Sequence, residues 1–222
     1  MLIDRNLSNI KIARRAASLV ITRASLGRLP LYHHYLASSA DKGIHQMSSS
    51  AIGRGLNCVP VQVRKDLQYT GVIGKPGLGY SVDELLRAIE SFLGWNNVNE
   101  AFLAGAGNLG TALLGHEGFS KFGLHIVGAF DTDPDKIGRS VHGREVMPLH
   151  KMGDLAWRMS IHLGIVTTPA EVAQVVADEM VKGGIEAIWN FADVQLVLPK
   201  HIVVHNEDLY SSLAPLFRKL SR

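Results

Sequence analysis

The spacing of apolar residues changes character near residue 97. Before that point, apolar side chains recur every three to four positions, which predicts helices over 29–41, 48–56, 60–70 and 81–94. Beyond it, short apolar runs alternate with helical patterns, which is typical of parallel strands joined by helices. The chain therefore predicts an α/β protein in which a helical N-terminal part precedes a doubly wound parallel sheet.

The third predicted helix is the basic one. It opens at Pro60, because proline is favoured in the first turn of a helix, and we expect Val61, Val63 and Leu67 to face inward. Its outward positions are polar or basic: Gln62, Arg64, Lys65 and Gln68. This helix is therefore predicted to present a basic face to solvent.

A glycine-rich segment follows the basic helix. Residues 71–80, GVIGKPGLGY, contain four glycines and one proline, which predict a tight hairpin with Lys75 at its tip. The helix before the basic one has a serine N-cap and is expected to be weakened by Gly53 and Gly55. Two helices, a basic helix and a hairpin, in that order over 28–80, predict a winged helix-turn-helix.

Two further helix starts have sequence signals. Pro30 is expected near the start of the first helix. Ser81 and Glu84 form a capping box at the start of the helix over 81–94. The apolar stripe of that helix consists of Val82, Leu85, Leu86, Ile89 and Leu93. We interpret residues 81–97 as a linker helix between two domains.

Charge is unevenly distributed along the chain. Residues 1–80 hold eleven Lys and Arg against three Asp and Glu, whereas residues 81–222 hold twelve against seventeen. A basic first third favours a polyanionic partner, and an arbitrary split of surface charge is the alternative. Residues 1–27 form a basic extension, for which a transit peptide, a poorly ordered tail and an extra helix all stay open.

Residues 98–206 carry the pattern of the parallel sheet. The predicted strands are 99–104, 124–133, 161–169, 185–192 and 201–206, with a long helix over 170–184. The turn GAGNLG, residues 105–110, follows the first strand and opens a helix. Gly105 permits the tight turn, Gly107 lets the backbone approach a pyrophosphate, and Gly110 lets helix and strand pack closely. The sequence therefore predicts a Rossmann-like dinucleotide site.

Asp131 ends the second predicted strand and is expected to accept a hydrogen bond from an adenosine ribose. A carboxylate there also repels a 2′-phosphate, so NAD(H) is favoured over NADP(H). The separation from Gly105 exceeds the usual ~20 residues, and the insertion over 115–123 accounts for the excess. A structural glycine turn with a surface aspartate is the alternative interpretation.

Few residues are available for other chemistry. Cys58 is the sole cysteine, which excludes an intramolecular disulfide and a CxxC zinc site and suits the reducing cytoplasm. No apolar run approaches the roughly 18–20 residues of a membrane span.

No spacing ties the candidate acid–base groups into a catalytic set: His116, His142, His162 and Asp208. We predict no catalytic or metal site, with a small NAD-dependent oxidoreductase and a CoA-binding protein as alternatives.

Several motifs together resemble one family. From about residue 28 to the C-terminus they are LPLYHHYL, SSSAIG, VQVRKDLQYTG, GKPGLGY, GAGNLGTALL, FDTDPDKIG, VTTPAEVAQ, GIEAIWNFA and NEDLYSSL. This combination resembles the Rex redox-sensing transcriptional repressors of bacteria. The resemblance implies a homodimer that senses the NADH/NAD⁺ ratio. It would bind a palindromic operator of TTGTGA-like half-sites when NADH is low and release it when NADH binds.

The resemblance also implies binding residues. For NAD and NADH these are Gly105, Ala106, Gly107, Asn108, Leu109, Gly110, Asp131, Thr168, Pro169 and Asn190. For DNA they are Gln62, Arg64, Lys65, Tyr69 and Lys75. The helix over 60–70 would lie in the major groove, and the wing would reach the minor groove.

By the same resemblance, residues 207–222 form a dimerisation helix that is swapped into the partner. Its apolar stripe is Leu209, Leu213, Leu216 and Leu220. Pro215 is expected to kink or restart this helix. Asp208 matches a family aspartate of an inter-subunit switch, while His34 and His116 stand where the family has an arginine and a tyrosine. Histidines there would allow the switch to depend on pH.

Overall fold

The computed structural model describes residues 21–208, 210–211 and 213–221. The chain divides into two compact units, Met1–Asn96 and Asn97–Arg222. Each unit buries its own apolar core, so each is described by itself.

The described part of the first unit consists of four α-helices and a two-stranded sheet. In chain order these are α1 (Arg23–Ala40), β1 (Gln46–Met47), α2 (Ser49–Leu56), α3 (Pro60–Leu67), β2 (Tyr80–Ser81) and α4 (Val82–Leu93). The strands pair antiparallel, with Met47 opposite Tyr80. The core between the helices includes Leu29, Tyr32, Leu36, Ile52, Val63, Leu67, Leu85 and Ile89.

Three of these helices begin with a side-chain hydroxyl cap. The side chains of Thr22, Ser48 and Ser81 each accept a hydrogen bond from a backbone N–H in the first turn of α1, α2 and α4. Helix α3 begins differently, with Val59 at the N-cap and Pro60 in the first turn. The predicted serine cap of α2 and the predicted proline start of α3 are thus confirmed.

Helix α1 starts at Arg23, earlier than predicted. Pro30 therefore lies inside the helix, where it removes one backbone donor but leaves Leu29 and Tyr32 buried on the core face. The cap at Thr22 explains the early start. Residues 23–27 of the predicted basic extension belong to α1, and residues 1–20 lie outside the described part of the chain.

The segment predicted as a linker helix is a core element of the first unit. Val82, Leu85 and Ile89 of α4 are fully buried, and Leu86 and Leu93 pack against the same cluster. The apolar stripe was predicted correctly, but the core that it joins is that of the N-terminal helices. The division between units falls after α4, at Asn96.

The orientation predicted for α3 needs one correction. Val63 and Leu67 are fully buried as expected, whereas Val61 is 52% exposed. Asp66 occupies the remaining inward position and is 1% exposed. Because Val63, Asp66 and Leu67 follow the i, i+3, i+4 spacing of one helix face, Val61 is turned to the opposite side.

The glycine-rich segment forms the predicted hairpin, but Lys75 is at the base of its turn. The N–H of Lys75 donates to the carbonyl of Gly79 at 2.7 Å, and the N–H of Gly79 donates back at 2.9 Å. Pro76, Gly77 and Leu78 form the tip between these paired residues. The side chain of Lys75 is exposed.

The second unit is a parallel sheet with helices on both faces. Its described elements are β3 (Asn99–Ala104), α5 (Asn108–Leu114), β4 (Leu124–Asp131), β5 (Ser140–Val141), β6 (Arg144–Pro148), α6 (Met152–Met159), β7 (Leu163–Val166), α7 (Ala170–Lys182), β8 (Ala187–Asn190), β9 (Val203–Asn206) and α8 (Ala214–Leu220). The strand order is β5-β6-β4-β3-β7-β8-β9, parallel throughout except for β5 against β6. Successive residues of β3 alternate between two cores, Phe102 in one and Leu103 in the other.

The C-terminal helix α8 is shorter than the predicted segment. It begins at Ala214, so Pro215 lies in the first turn, where the helix needs no donor, and the proline starts the helix instead of interrupting it. Leu209 of the predicted stripe lies outside the described residues, while Leu213, Leu216 and Leu220 are exposed. In the described part of the chain, no helix combines the length and apolarity needed to span a bilayer.

Candidate functional site

The glycine turn after β3 has the geometry that the sequence predicts. Gly105 has φ +102°, and a Cβ there would lie 2.8 Å from the backbone of Thr167. A Cβ on Gly110 would collide with the carbonyl oxygen of Gly105, so glycine is required for α5 to pack against the end of β3. A Cβ on Gly107 would meet no described atom within 4 Å, which leaves its backbone accessible.

A cavity of about 440 Å³ opens beside this turn. The cavity lies at the end of β3, which pairs with β4 on one side and with β7 on the other. The strands that follow β3 in the chain are added first on one side of it and then on the other, so this is the topological switch point of the sheet. Ligands of doubly wound sheets bind at such points. The lining residues are Gly105, Gly107, Phe130, Asp131, Thr132, Lys136, Leu149, Thr167, Thr168, Pro169, Val172, Val175 and Val176.

Asp131 ends β4 and is buried in a network of donors. One carboxylate oxygen accepts the N–H groups of Thr132 and Asp133 at 2.8 and 2.9 Å. The other accepts the N–H of Ala106 at 2.8 Å and the ammonium of Lys136 at 3.1 Å. Burial raises the pKa of Asp131, but these hydrogen bonds outweigh burial and hold the pKa below its usual range. The carboxylate is therefore charged at neutral pH.

Lys136 is a cavity residue that the sequence analysis missed. Its ammonium bonds to Asp131 and lies 3.6 Å from a carboxylate oxygen of Asp133. The hydrogen bond to Asp131 raises the pKa of Lys136. The signal in the sequence was its position five residues after the strand-ending aspartate, where the chain turns back toward the same carboxylate.

Thr168 carries an unpaired polar atom at the cavity. Its hydroxyl oxygen is buried and has no hydrogen-bond partner among the described residues. The neighbouring Thr167 hydroxyl differs, since it donates to the carbonyls of Ala104 and Gly105 at 3.0 and 2.8 Å. A buried hydroxyl without a partner is costly unless a ligand satisfies it. The residues present therefore fit a polar ligand, such as a dinucleotide, at this point.

The rest of the cavity wall is apolar. Leu149 and three valines of α7, Val172, Val175 and Val176, line it. Val172 and Val175 are 46% and 61% exposed, so their apolar surface faces the open space. A flat ring of a nucleotide would remove that surface from water. The sequence analysis assigned residues 170–184 to a long helix but did not connect its valines with the cofactor.

The remaining residues predicted for the cofactor lie in different places. Asn108 and Leu109 are exposed in the first turn of α5. Asn190 is fully buried, and its amide bonds to the backbone of Ala192 and Val194 and to the side chain of Asn206. Asn190 does not line the cavity, so the structure gives it a role in holding the ends of β8 and β9 together.

The predicted DNA residues on and just after α3 differ in exposure. Arg64 and Lys65 are exposed, and the guanidinium of Arg64 donates to the hydroxyl of Ser49 at 3.0 Å. When the side-chain amide of Gln62 is flipped, its oxygen accepts from the guanidinium of Arg28 at 3.0 Å. Tyr69 is half-buried, with its ring 6.4 Å from that of Phe92. Of these, Arg64 and Lys65 have the exposure that DNA contact requires.

A buried ion pair holds α3 against α1. Both carboxylate oxygens of Asp66 accept from the guanidinium of Arg28, at 2.7 and 2.9 Å, and the hydroxyl of Tyr32 donates to Asp66 at 2.7 Å. Burial raises the pKa of Asp66, but these donors outweigh burial and hold it below its usual range. The hydrogen bond to Asp66 raises the pKa of Arg28. The pair fixes the rotation of α3 and hence the face that it turns outward.

The three predicted switch residues are all exposed. His34 lies on α1, whereas His116 follows α5 with its ring 4.6 Å from that of Phe119. Asp208 accepts the N–H groups of Tyr210 and Ser211 at 3.0 and 2.8 Å. Among the described residues, no cluster of three or more His, Cys, Asp or Glu side chains could hold a metal ion.

Comparison with known proteins identifies the family. The redox-sensing transcriptional repressor Rex of Treponema denticola is 42% identical over 192 residues, which are 86% of this chain and 91% of that protein. The Rex repressor of Pelotomaculum thermopropionicum is 42% identical over 199 residues, 90% of this chain and 93% of that protein. The chain belongs to the Rex family.

Solved Rex structures and family models agree with this membership. RSP in complex with β-NAD⁺ and operator DNA is similar with a TM-score of 0.87 and 33% identity, covering 92% of this chain and 94% of that chain. RSP in complex with β-NADH is similar with a TM-score of 0.83 and 32% identity, covering 92% of this chain and 96% of that chain. A family model described as a putative DNA-binding protein N-terminus matches residues 20–68, and one described as a CoA binding domain matches residues 96–194.

Membership in the Rex family confirms the predicted fold class. The chain has an N-terminal DNA-binding domain followed by a Rossmann-like, mostly parallel α/β sheet. Its Rex relatives are transcription regulators. The swapped C-terminal helix and the roles of individual residues at the cofactor, the DNA and the switch stay predictions.

Proposed function

We propose that this chain represses transcription in response to the NADH/NAD⁺ ratio. It binds operator DNA through α3 and the wing when NADH is scarce, and it releases the DNA when NADH occupies the cavity beside the glycine turn. The observation that carries the proposal is the likeness to RSP, a protein solved with both β-NAD⁺ and operator DNA, over 92% of this chain. We further propose that the protein works in the cytoplasm and catalyses no reaction.

In this proposal the cofactor takes up polar atoms that the protein leaves available. The pyrophosphate lies against the backbone at Gly107, and the Thr168 hydroxyl bonds to the dinucleotide. Each carboxylate oxygen of Asp131 already accepts from two donors. The adenosine ribose therefore binds Asp131 by replacing the ammonium of Lys136. A mostly apolar, desolvated pocket around the nicotinamide would disfavour the charged ring of NAD⁺ relative to the neutral ring of NADH.

The output of the proposed sensor is the geometry of a homodimer. The exposed apolar residues of α8, Leu216, Phe217 and Leu220, are 56%, 61% and 80% exposed and favour burial against a second copy. A palindromic operator matches a two-fold dimer, and its half-site spacing fixes the separation of the two recognition helices. NADH can control the binding of DNA only if it binds more tightly to one geometry of the dimer than to the other.

We propose that His34, His116 and Asp208 form the inter-subunit switch in that dimer. Replacing His34 and His116 by alanine is expected to weaken the release of DNA by NADH. The measurement is the NADH concentration that releases half of a bound operator duplex, for wild type and for each variant. Equal values for all three proteins would remove the histidines from the switch.

Fluorescence anisotropy tests the proposed function. A labelled palindromic duplex with TTGTGA-like half-sites is titrated with the protein at fixed salt, because affinities for DNA depend steeply on salt. The titration is run alone, with NAD⁺ and with NADH, beside a scrambled duplex. We expect tight binding to the palindrome that NADH relieves and NAD⁺ does not. Equal binding to both duplexes, or an intact complex at saturating NADH, would contradict the proposal.

The match to a CoA binding domain over residues 96–194 favours one second candidate, in which CoA is the ligand of the cavity. A further arm of the titration therefore uses CoA in place of NADH. Release of the duplex by CoA and not by NADH would assign the cavity to CoA. The Asp131 carboxylate suits the free ribose hydroxyls of NADH and repels the 3′-phosphate on the ribose of CoA, so we expect NADH to be the effective compound.

A further inference from the structure

The outward face of α3 contains one apolar residue among polar ones. Val61, Arg64, Lys65 and Gln68 follow the i, i+3, i+4, i+7 spacing and lie opposite the buried face of the helix. Val61 is 52% exposed, so a polar residue at this position would not reduce the burial of the core. The basic residues of the same face make it complementary to a polyanion.

The start of α3 extends this apolar surface. Val59, at the N-cap, is 63% exposed, and Pro60 follows it. A valine side chain cannot accept a hydrogen bond from a backbone N–H of the first turn, as the hydroxyl oxygens of Thr22, Ser48 and Ser81 do at the starts of α1, α2 and α4. Helix α3 therefore begins without a side-chain cap and with exposed apolar surface.

We propose that Val61 contacts the 5-methyl group of a thymine in the major groove of the operator. The inference rests on the proposed function and names a base that α3 reads. The residues at the start of a recognition helix contact base edges. Among the base edges of the major groove, the thymine methyl is the apolar group, and apolar side chains recognise thymine through it.

The contact gives the helix a way to distinguish thymine from cytosine. Cytosine presents a polar amino group and lacks the methyl, so Val61 opposite cytosine leaves its own apolar surface uncovered. Arg64 and Lys65, one turn further along the face, supply attraction to phosphates or guanine edges. Valine is stiff about its first side-chain torsion, so little side-chain freedom is lost when it packs.

Thymine-to-uracil replacement tests this inference, because it deletes a single methyl group and leaves Watson–Crick pairing unchanged. Each thymine of the palindromic duplex is replaced in turn, symmetrically in both half-sites, and the affinity of wild type and of Val61→Ala is measured by anisotropy. We expect one position at which uracil weakens wild-type binding about three- to fivefold per half-site, the effect of burying one methyl. Val61→Ala is expected to bind the thymine duplex more weakly and to lose sensitivity to uracil at that position.

Two controls separate a base contact from other effects. Val197→Ala removes a valine that is 83% exposed in the second unit and should keep the uracil sensitivity of wild type. The slope of log affinity against log salt should be the same for Val61→Ala and wild type, since an apolar contact releases no counterions.

The outcomes distinguish the inference from the function on which it rests. If wild type does not prefer the palindrome over the scrambled duplex, the proposed function fails and the inference fails with it. If wild type prefers the palindrome but no uracil replacement matters, or Val61→Ala keeps the wild-type sensitivity, the thymine contact is wrong while the repressor stands.

Discussion

Single side chains set the balance between stability and ligand binding at the cavity. Thr167 and Thr168 are adjacent, yet the first hydroxyl is bonded to two carbonyls of the glycine turn and the second has no partner among the described residues. A buried hydroxyl that is not bonded destabilises the protein that carries it. The pair therefore provides a comparison in which the same substitution has opposite effects.

Thr168→Val is expected to stabilise the protein and to weaken its binding of NADH. Loss of an unsatisfied buried hydroxyl should raise the free energy of unfolding by roughly 1 kcal/mol, and loss of a hydrogen bond to the ligand should weaken NADH about two- to tenfold. Thermal denaturation and an NADH titration measure the two effects. Thr167→Val is the matched control and should lower stability. A destabilised Thr168→Val variant would mean that this hydroxyl is bonded in the free protein.

Asp66→Asn is expected to destabilise the first unit by roughly 3 kcal/mol, because it leaves Arg28 without its carboxylate. Since the folded pKa of Asp66 is lowered, its contribution is fully present above the unfolded value of about 3.9 and is lost as pH falls through the folded pKa. The difference in unfolding free energy between wild type and Asp66→Asn should therefore be constant from pH 7 to about pH 5 and shrink below pH 4.

Chemical denaturation of both proteins across that pH range measures the difference. Asp154→Asn is the control, because its pair with Arg158 is exposed on both sides and should contribute little at any pH. A difference between wild type and Asp66→Asn that grows as the pH falls would contradict the assigned role of Asp66.

At the scale of elements, glycine positions show where packing overrides helix propensity. Gly53 and Gly55 weaken α2 as an isolated helix, which is how the sequence suggests they act. In the structure, however, a Cβ on Gly55 would collide with the ring of Tyr35, and one on Gly53 with the carbonyl of Cys58. These glycines allow close approach, and for Gly55 that approach involves Tyr35, a residue of another helix that is remote in sequence.

Two glycine-to-alanine changes test this distinction. Gly27 lies in α1, and a Cβ there would meet no described atom within 4 Å. Gly27→Ala should therefore raise the free energy of unfolding by roughly 0.5–1 kcal/mol, whereas Gly55→Ala should lower it despite the same gain in propensity. Denaturant unfolding of both variants provides the measurement. An increase in stability for Gly55→Ala would show that α2 and α1 adjust to the added methyl.

Long periodic elements were predictable from the sequence, and short ones were not. Helices α4 and α7 and strands β3 and β4 were found because their apolar spacing persists over several residues. The hairpin of β5 and β6 and the helix α6 were not assigned, since β5 has two residues and residues 140–148 show no alternation. The cap at Thr22 that starts α1 was hidden by the proline signal at Pro30.

The candidate site was predictable where a motif fixes the backbone. The glycine turn and Asp131 were found for that reason, whereas Lys136 and the valines of α7 depend on how the chain returns to the cavity. The inward orientation of Val61 was wrong because Asp66 takes the buried position. Asp66 can do so only with Arg28 as a partner, and 38 positions separate the two in sequence.

At the scale of the whole molecule, the uneven charge predicts how DNA binding responds to salt. Lys65→Ala removes one exposed cation from the outward face of α3. The slope of log affinity against log salt should fall by about 1 per protomer in contact with phosphate, on operator and scrambled duplexes alike. Lys200→Ala, an exposed lysine of the second unit, should leave the slope unchanged. An unchanged slope for Lys65→Ala would place this lysine away from phosphates.

The separate cores of the two units also determine the order in which the chain acquires structure. The first unit packs its helices against one another within Arg23–Leu93, whereas the second must bring parallel strands together over Asn99–Asn206. Contacts between distant residues form slowly, so low contact order favours the N-terminal helices. That unit also leaves the ribosome first. We therefore expect a newly made chain to acquire the proposed DNA-binding surface before it acquires the proposed dinucleotide pocket.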